Sequence, residues 1–179
     1  MKLFLSYRFG PEPMIVRRIS YFLNKQPDIE AFCWAHPYPL PTDWITIVGD
    51  VLGTCDAFVF FIANDIGKTQ KDELEVFRGL MKKRYPSPEE AETEIQKASV
   101  IIRQSNAPEK LMDQSIQSCL KDLCCPLKWP EIHRLPSFPS KNGNIDAFKE
   151  LVDRWENAAQ ECAKHILKIL LEPSTLLFQ

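Results

Sequence analysis

The chain has 179 residues, of which 45% are hydrophobic and 26% are charged, and its formal net charge is -2. These values are typical of a globular protein, and the length suits a single domain with a core of its own. The near-neutral charge and the scattered Lys and Arg residues argue against direct nucleic-acid binding, because nucleic-acid-binding proteins usually carry a basic stripe on their surface. No apolar run approaches the roughly 20 residues of a membrane-spanning helix.

The N-terminus and the cysteines both favour the cytoplasm. The apolar stretch in "MKLFLSYRFG" is too short for a secretory signal, and we interpret its start as a β-strand. The six cysteines form no CxxC pair and no regular spacing, which favours free thiols in a reducing compartment. Their spacing to the three histidines fits no common zinc pattern, so we predict no metal site.

Strand and helix patterns alternate along the first half of the chain. "KLFLSY" predicts a buried strand, "PEPMIVRRISYFLNKQ" a helix and "IEAFCW" a second strand. After a Pro-rich loop, "DWITIVGDVLGTC" has helical spacing, and "AFVFFIA" indicates a central strand buried on both faces. "DELEVFRGLMKKRY" predicts a third helix. This β-α-β-α-β-α order predicts an α/β fold, an open parallel sheet with helices on both faces.

The second half of the chain has a less regular pattern. Residues 86–123 contain two amphipathic helical stretches, with "SVII" as a candidate short strand, and we predict a helical insertion after the third helix. "CCPLKW" is a further strand candidate. "IDAFKELVDRWENAAQECAKHILKILL" predicts a long amphipathic helix. We therefore expect one domain over residues 1–172, with 173–179 as a tail or the start of a linker.

Residues that follow the strands are the candidates for a functional site, because open parallel sheets bind ligands beyond the carboxyl ends of their strands. In chain order they are Ser6, Tyr7, Arg8, Trp34, Ala35, His36, Asn64 and Asp65. Glu73 joins them on the third helix. The sequence has none of the glycine motifs of dinucleotide-binding folds, P-loop NTPases or α/β-hydrolases. It also has no pair of acids after the first strand, which a phosphorylation receiver needs.

The order of these segments resembles a TIR (Toll/interleukin-1 receptor) domain, which has a flavodoxin-like fold. "LFLSYR" resembles the first box of that family, and "FCWAHPYPLPTDWITIVGDVLGTCDAFVFFIAND" resembles its second strand, long loop, helix and third strand. "DEL" falls where many members have Trp-Cys-x-x-Glu-Leu, with Glu73 at the family's Glu. Thr42 stands at the usual Gly of the loop, and Thr69 and Gln70 replace the Trp and Cys. The match is best over residues 2–80.

The resemblance implies an enzyme that cleaves NAD+, since many TIR domains break the bond between nicotinamide and ribose. The products are nicotinamide and ADP-ribose or a cyclic variant, and NAD+ is a substrate, with no other cofactor. Loss of nicotinamide builds positive charge on the ribose carbon, which a carboxylate would stabilise. Glu73 is then the catalytic residue. The predicted binding residues are Tyr7, Arg8, Trp34, Trp44 and Asn64.

Each predicted residue has a role in the resemblance and a purely structural interpretation beside it. Arg8 would hold the diphosphate or be a solvated charge, and Trp34 and Trp44 would stack on the cofactor rings or pack in the core. An acid in the first turn of a helix stabilises it by about 0.3–1 kcal/mol without any further function. Glu75 replaces Glu73 if the register of the third helix differs.

Two other functions stay open. A non-catalytic TIR module would bind partners through the loop at 35–43 and the neighbouring helices. An enzyme similar to nucleoside deoxyribosyltransferases would share the acid but take a free nucleoside. The first hypothesis is a cytoplasmic immune or antiphage effector. It would self-associate or bind other TIR domains through the same loop, and it would use neither nucleic acid nor a membrane as a direct partner.

Overall fold

The computed structural model describes residues 1–7, 13–34, 42–62, 66–103, 121–124 and 144–171. The elements within these ranges are, in chain order, β1 (Lys2–Ser6), α1 (Pro13–Leu23), β2 (Glu30–Cys33), α2 (Trp44–Thr54), β3 (Ala57–Ile62), α3 (Lys68–Arg84), α4 (Pro88–Lys97), β4 (Ser99–Arg103), β5 (Lys121–Cys124) and α5 (Ile145–Leu171). Strand and helix alternate from β1 to α3, as the sequence predicts.

The described strands form one parallel sheet in the order β2-β1-β3-β4-β5. β1 lies inside the sheet, where Leu3 is opposite Ala31 of β2 and Ala57 of β3. The chain therefore extends the sheet to one side from β1 to β2, and then crosses back to place β3 on the other side of β1. This is the flavodoxin-like order, and it confirms the predicted open α/β fold.

The sheet is covered on both faces by apolar side chains. All six residues of β3 are buried, as expected of a central strand in a parallel sheet. Because side chains alternate along a strand, Val59 and Phe61 join the core under α1 and α5, whereas Phe58 and Phe60 join the core under α2, α3 and α4. None of the described helices combines the length and the apolar composition needed to cross a membrane.

Part of the predicted insertion at 86–123 belongs to the sheet. α4 begins after Ser87, whose hydroxyl accepts a hydrogen bond from the backbone N–H of Glu90, and it is the helix that the local pattern predicts. β4 follows it directly and pairs with both β3 and β5. The "SVII" stretch is thus an interior strand. Its shortness and its helical flanks made it resemble an insert, and residues 104–120 lie outside the described ranges.

Candidate functional site

A buried carboxyl group lies at the carboxyl end of β1. Glu73 of α3 accepts a hydrogen bond from the hydroxyl of Ser6, with 2.5 Å between Ser6 Oγ and Glu73 Oε2. Ser6 ends β1 and is opposite Phe60 of β3. The contact therefore lies at the boundary between β1 and β3, where the strand order reverses and where open α/β sheets bind ligands. The structure brings together two residues that the sequence placed on the same edge.

Burial changes the chemistry of Glu73. The residue is only 5% exposed, and burial raises the pKa of its carboxyl group to about 7. The hydrogen bond from Ser6 opposes this rise because it favours the charged form, and the nearby negative charge of Asp72 adds to it. Near neutral pH the carboxyl group therefore exists in both protonation states, which suits a group that moves a proton or balances a developing charge.

The position of Glu73 within α3 excludes its simplest structural interpretation. The sequence pattern started this helix near Asp72, but α3 begins at Lys68, so Glu73 lies beyond the first turn and cannot act as an N-terminal dipole acid. The polar residues at the start of α3 lack the apolar periodicity that marks a helix, so the predicted helix begins several residues after the real one. The alternative acid, Glu75, has a side chain that is 71% exposed and lies 3.8 Å from Arg78.

Gln70 is a buried polar residue beside Glu73 that no sequence motif indicates. Its side chain is 1% exposed. The amide oxygen accepts a hydrogen bond from the backbone N–H of Gly67 at 3.1 Å, and the amide nitrogen donates one to the backbone carbonyl of Phe61 at 2.9 Å. The usable signal was its spacing, because Gln70 lies three residues before Glu73 and hence on the same face of the helix.

Tyr7 joins the ends of β1 and β2. Its phenol is buried and donates a hydrogen bond to the backbone carbonyl of Trp34. Burial raises the pKa of Tyr7 to about 12, the negative charges of Cys33 and Glu73 contribute, and Arg17 of α1 opposes the rise by charge and by a hydrogen bond. Arg17 and Cys33 are therefore neighbours of the predicted site, although the sequence motifs pointed to neither.

The two predicted tryptophans pack against the apolar core on the α2 and α3 side of the sheet. Trp34 is half-buried and meets the ring of Phe32 edge-on, with 6.1 Å between the ring centroids. Trp44 is the first residue of α2 and is also half-buried. Both residues therefore have a structural role, and stacking on a ligand stays a prediction for each.

The remaining predicted residues lie outside the described ranges. They are Arg8 and Asn64, together with positions 35–41 of the loop assigned to self-association. Only Thr42 and Asp43 of that loop are described, and both are exposed. Among the described residues, no three His, Cys, Asp or Glu side chains lie close enough to hold a metal ion.

No family model matches this sequence, and a search of characterised proteins finds no match either. The likeness to TIR domains consequently depends on the quoted motifs. The case for a functional site depends on the burial of Glu73, its contact with Ser6 and its place in the sheet.

Proposed function

We propose that the protein is an NAD+ glycohydrolase that breaks the bond between nicotinamide and ribose, with Glu73 as its catalytic residue. The observation that carries the proposal is the buried Glu73 carboxyl group beside Ser6, at the point where the strand order of an open parallel sheet reverses. The resemblance to TIR domains supplies the substrate class. The immune or antiphage role that the resemblance implies is part of the proposal, and so is a cytoplasmic location.

The proposed chemistry uses the ionised form of Glu73. As the bond to nicotinamide lengthens, positive charge grows on the ribose carbon, and a carboxylate in a site of low polarity stabilises that charge strongly. The hydroxyl of Ser6 holds Oε2. In the proposed complex the other oxygen meets a ribose hydroxyl. Nicotinamide leaves with the bonding electrons. Water then adds to the ribose carbon and loses a proton to give ADP-ribose, or an adenine nitrogen adds, taking up the positive charge, to give a cyclic product.

A second proposal is that the domain acts by association with other copies or other TIR-like domains. The proposal is supported by the surface of α2, the helix that directly follows the loop at 35–43. This helix exposes two apolar side chains, Ile45 by 41% and Ile47 by 36%. Association is compatible with catalysis, because one subunit's loop would complete the site of another. It also stands alone as the function of a non-catalytic module.

The decisive experiment measures nicotinamide release from NAD+ at high protein concentration with a crowding agent. The wild type is compared with Glu73→Gln, and Glu75→Gln is the matched control because it removes a carboxylate from the exposed face of the same helix. Loss of activity in Glu73→Gln alone supports the proposal. Equal activity in wild type and Glu73→Gln refutes the assignment of Glu73.

A parallel assay of base exchange on a free deoxynucleoside separates the enzyme classes. Base exchange without NAD+ cleavage would indicate a function similar to that of a nucleoside deoxyribosyltransferase. Inactivity in both assays, together with concentration-dependent association that is lost when Ile45 and Ile47 are replaced by Ser, would favour the interaction module.

A further inference from the structure

Gln70 connects the start of α3 to the end of β3. The N–H of Gly67, the N-cap residue, is bound by the Gln70 amide oxygen. A capping box has two bonds, one made by the side chain of the N-cap residue and one by the side chain of the third helical residue. Gly67 has no side chain, so only the bond made by Gln70 can form here. On its other side, the Gln70 amide donates to the carbonyl of Phe61. A single buried side chain therefore both closes the first turn of α3 and ties that turn to the sheet.

The bond to Phe61 lies next to the bond that holds the carboxyl group. The ladder between β1 and β3 has its last pair at Ser6 and Phe60, and Phe61 is the following residue. Gln70 and Glu73 lie on the same face of α3, three residues apart. One is bonded to β3 and the other to β1. The two bonds together resist rotation of α3 about its axis over the boundary between the strands.

We propose that Gln70 is a positioning residue that holds the Glu73 carboxyl group in its buried place beside Ser6. An effect of Gln70 on catalysis rests on the proposed function, whereas its effect on the position of the Glu73 carboxyl group does not. Without the bonds to Gly67 and Phe61, the first turns of α3 rotate or lift, and water reaches Glu73. Burial is the main reason for the raised pKa of Glu73, so hydration lowers this pKa even though the bond from Ser6 is weakened as well.

The test follows the titration of the Glu73 carboxyl carbon by NMR from pH 4 to pH 9, with the signal identified by its absence in Glu73→Gln. Gln70→Met has nearly the same length but neither hydrogen bond. We expect its titration midpoint to lie about one pH unit or more below that of the wild type. An unchanged midpoint in folded Gln70→Met overturns the proposal.

A matched control separates positioning from a general loss of stability. Phe77→Leu weakens the packing of the same helix, because Phe77 is buried and its ring lies 5.1 Å from that of Phe58. It leaves both Gln70 bonds in place, and we expect a midpoint like that of the wild type. A midpoint in Phe77→Leu that falls as far as in Gln70→Met would overturn the proposal, since any loosening of α3 would then suffice.

A second variant serves if Gln70→Met does not fold. Gly67→Pro removes the N–H that Gln70 accepts and leaves the bond to Phe61 in place, and the φ of -70° at Gly67 suits proline. We expect a smaller downward shift of the midpoint, and no shift overturns the proposal.

If the wild type cleaves NAD+, Gln70→Met should lower kcat by about ten- to a hundredfold, with a smaller change in KM. Absence of cleavage in every protein refutes the proposed function, while the titration still decides the role of Gln70.

Discussion

Replacement of Glu73 by Gln should make the free energy of unfolding less dependent on pH. The substitution keeps the shape of the side chain and an oxygen that accepts the Ser6 hydroxyl, but it removes the titrating group. Burial raises the pKa of Glu73 from 4.5 to about 7, so between these values the folded protein holds a proton that the unfolded chain has released. The contribution of Glu73 to stability is therefore greatest below about pH 4.5 and is lost as the pH rises through 7.

The size of the effect follows from the two pKa values. Each unit of difference between the folded and unfolded states is worth about 1.4 kcal/mol, which amounts to about 3 kcal/mol over the whole window. Roughly 2–3 kcal/mol of this falls between pH 5 and pH 8. The stability of Glu73→Gln relative to the wild type should rise by that amount over the same range. This comparison cancels other titrating groups and any pH-independent cost of the new amide.

Urea unfolding, followed by tryptophan fluorescence at pH 5, 6, 7 and 8, measures the difference. Glu75→Gln is the control, because it removes a largely exposed carboxylate from the same helix and keeps Glu73, so the pH dependence due to Glu73 should persist in it. A stability difference between Glu73→Gln and wild type that stays constant from pH 5 to pH 8 would refute the argument from burial. A difference that falls with rising pH would mean that a positive charge, rather than burial, controls the group.

Three further substitutions test the structure around the site. Ser6→Ala removes a donor that favours the charged form, so the carboxyl titration of Glu73 should move to higher pH, and an unchanged midpoint would contradict the hydrogen bond. Tyr7→Phe leaves the carbonyl of Trp34 without the phenol donor, and thermal or urea unfolding should show a loss of about 1–3 kcal/mol; a loss below 0.5 kcal/mol would show that water replaces it. Phe58→Ala empties a fully buried position among three other rings and should cost about 3–5 kcal/mol in the same assay, whereas a cost near 1 kcal/mol would indicate that the core collapses around the space.

The fold was largely predictable from sequence because strands and helices leave different apolar periods. The continuous run in β3 and the alternation up to α3 determine the parallel sheet. Because residues that follow parallel strands meet at the carboxyl edge of the sheet, the sequence also placed Ser6 and Glu73 at one edge. β4 was harder to assign, since a five-residue strand between helical signals gives no period of its own.

The parts of the site that sequence could not predict depend on how elements pack. The role of Gln70 depends on how closely α3 packs against β3, which no local sequence pattern predicts. The bond between Tyr7 and Trp34 depends on the register of β1 and β2. The spacing of three residues between Gln70 and Glu73 places both on one helix face only once α3 is known to begin at Lys68.

Every described residue of the candidate site lies in the N-terminal part of the chain, before the end of α3, while one apolar face of β1 and β3 is covered by α5 at the other end. During translation the site residues leave the ribosome well before the helix that shields the sheet behind them. A fragment that ends after α3 would contain Ser6, Gln70 and Glu73, yet the face that carries Leu5 and Val59 would keep only α1 and lose the cover of α5. The candidate site and part of the cover of its sheet are thus encoded far apart in the sequence, and a fragment trimmed to the site would lack that cover.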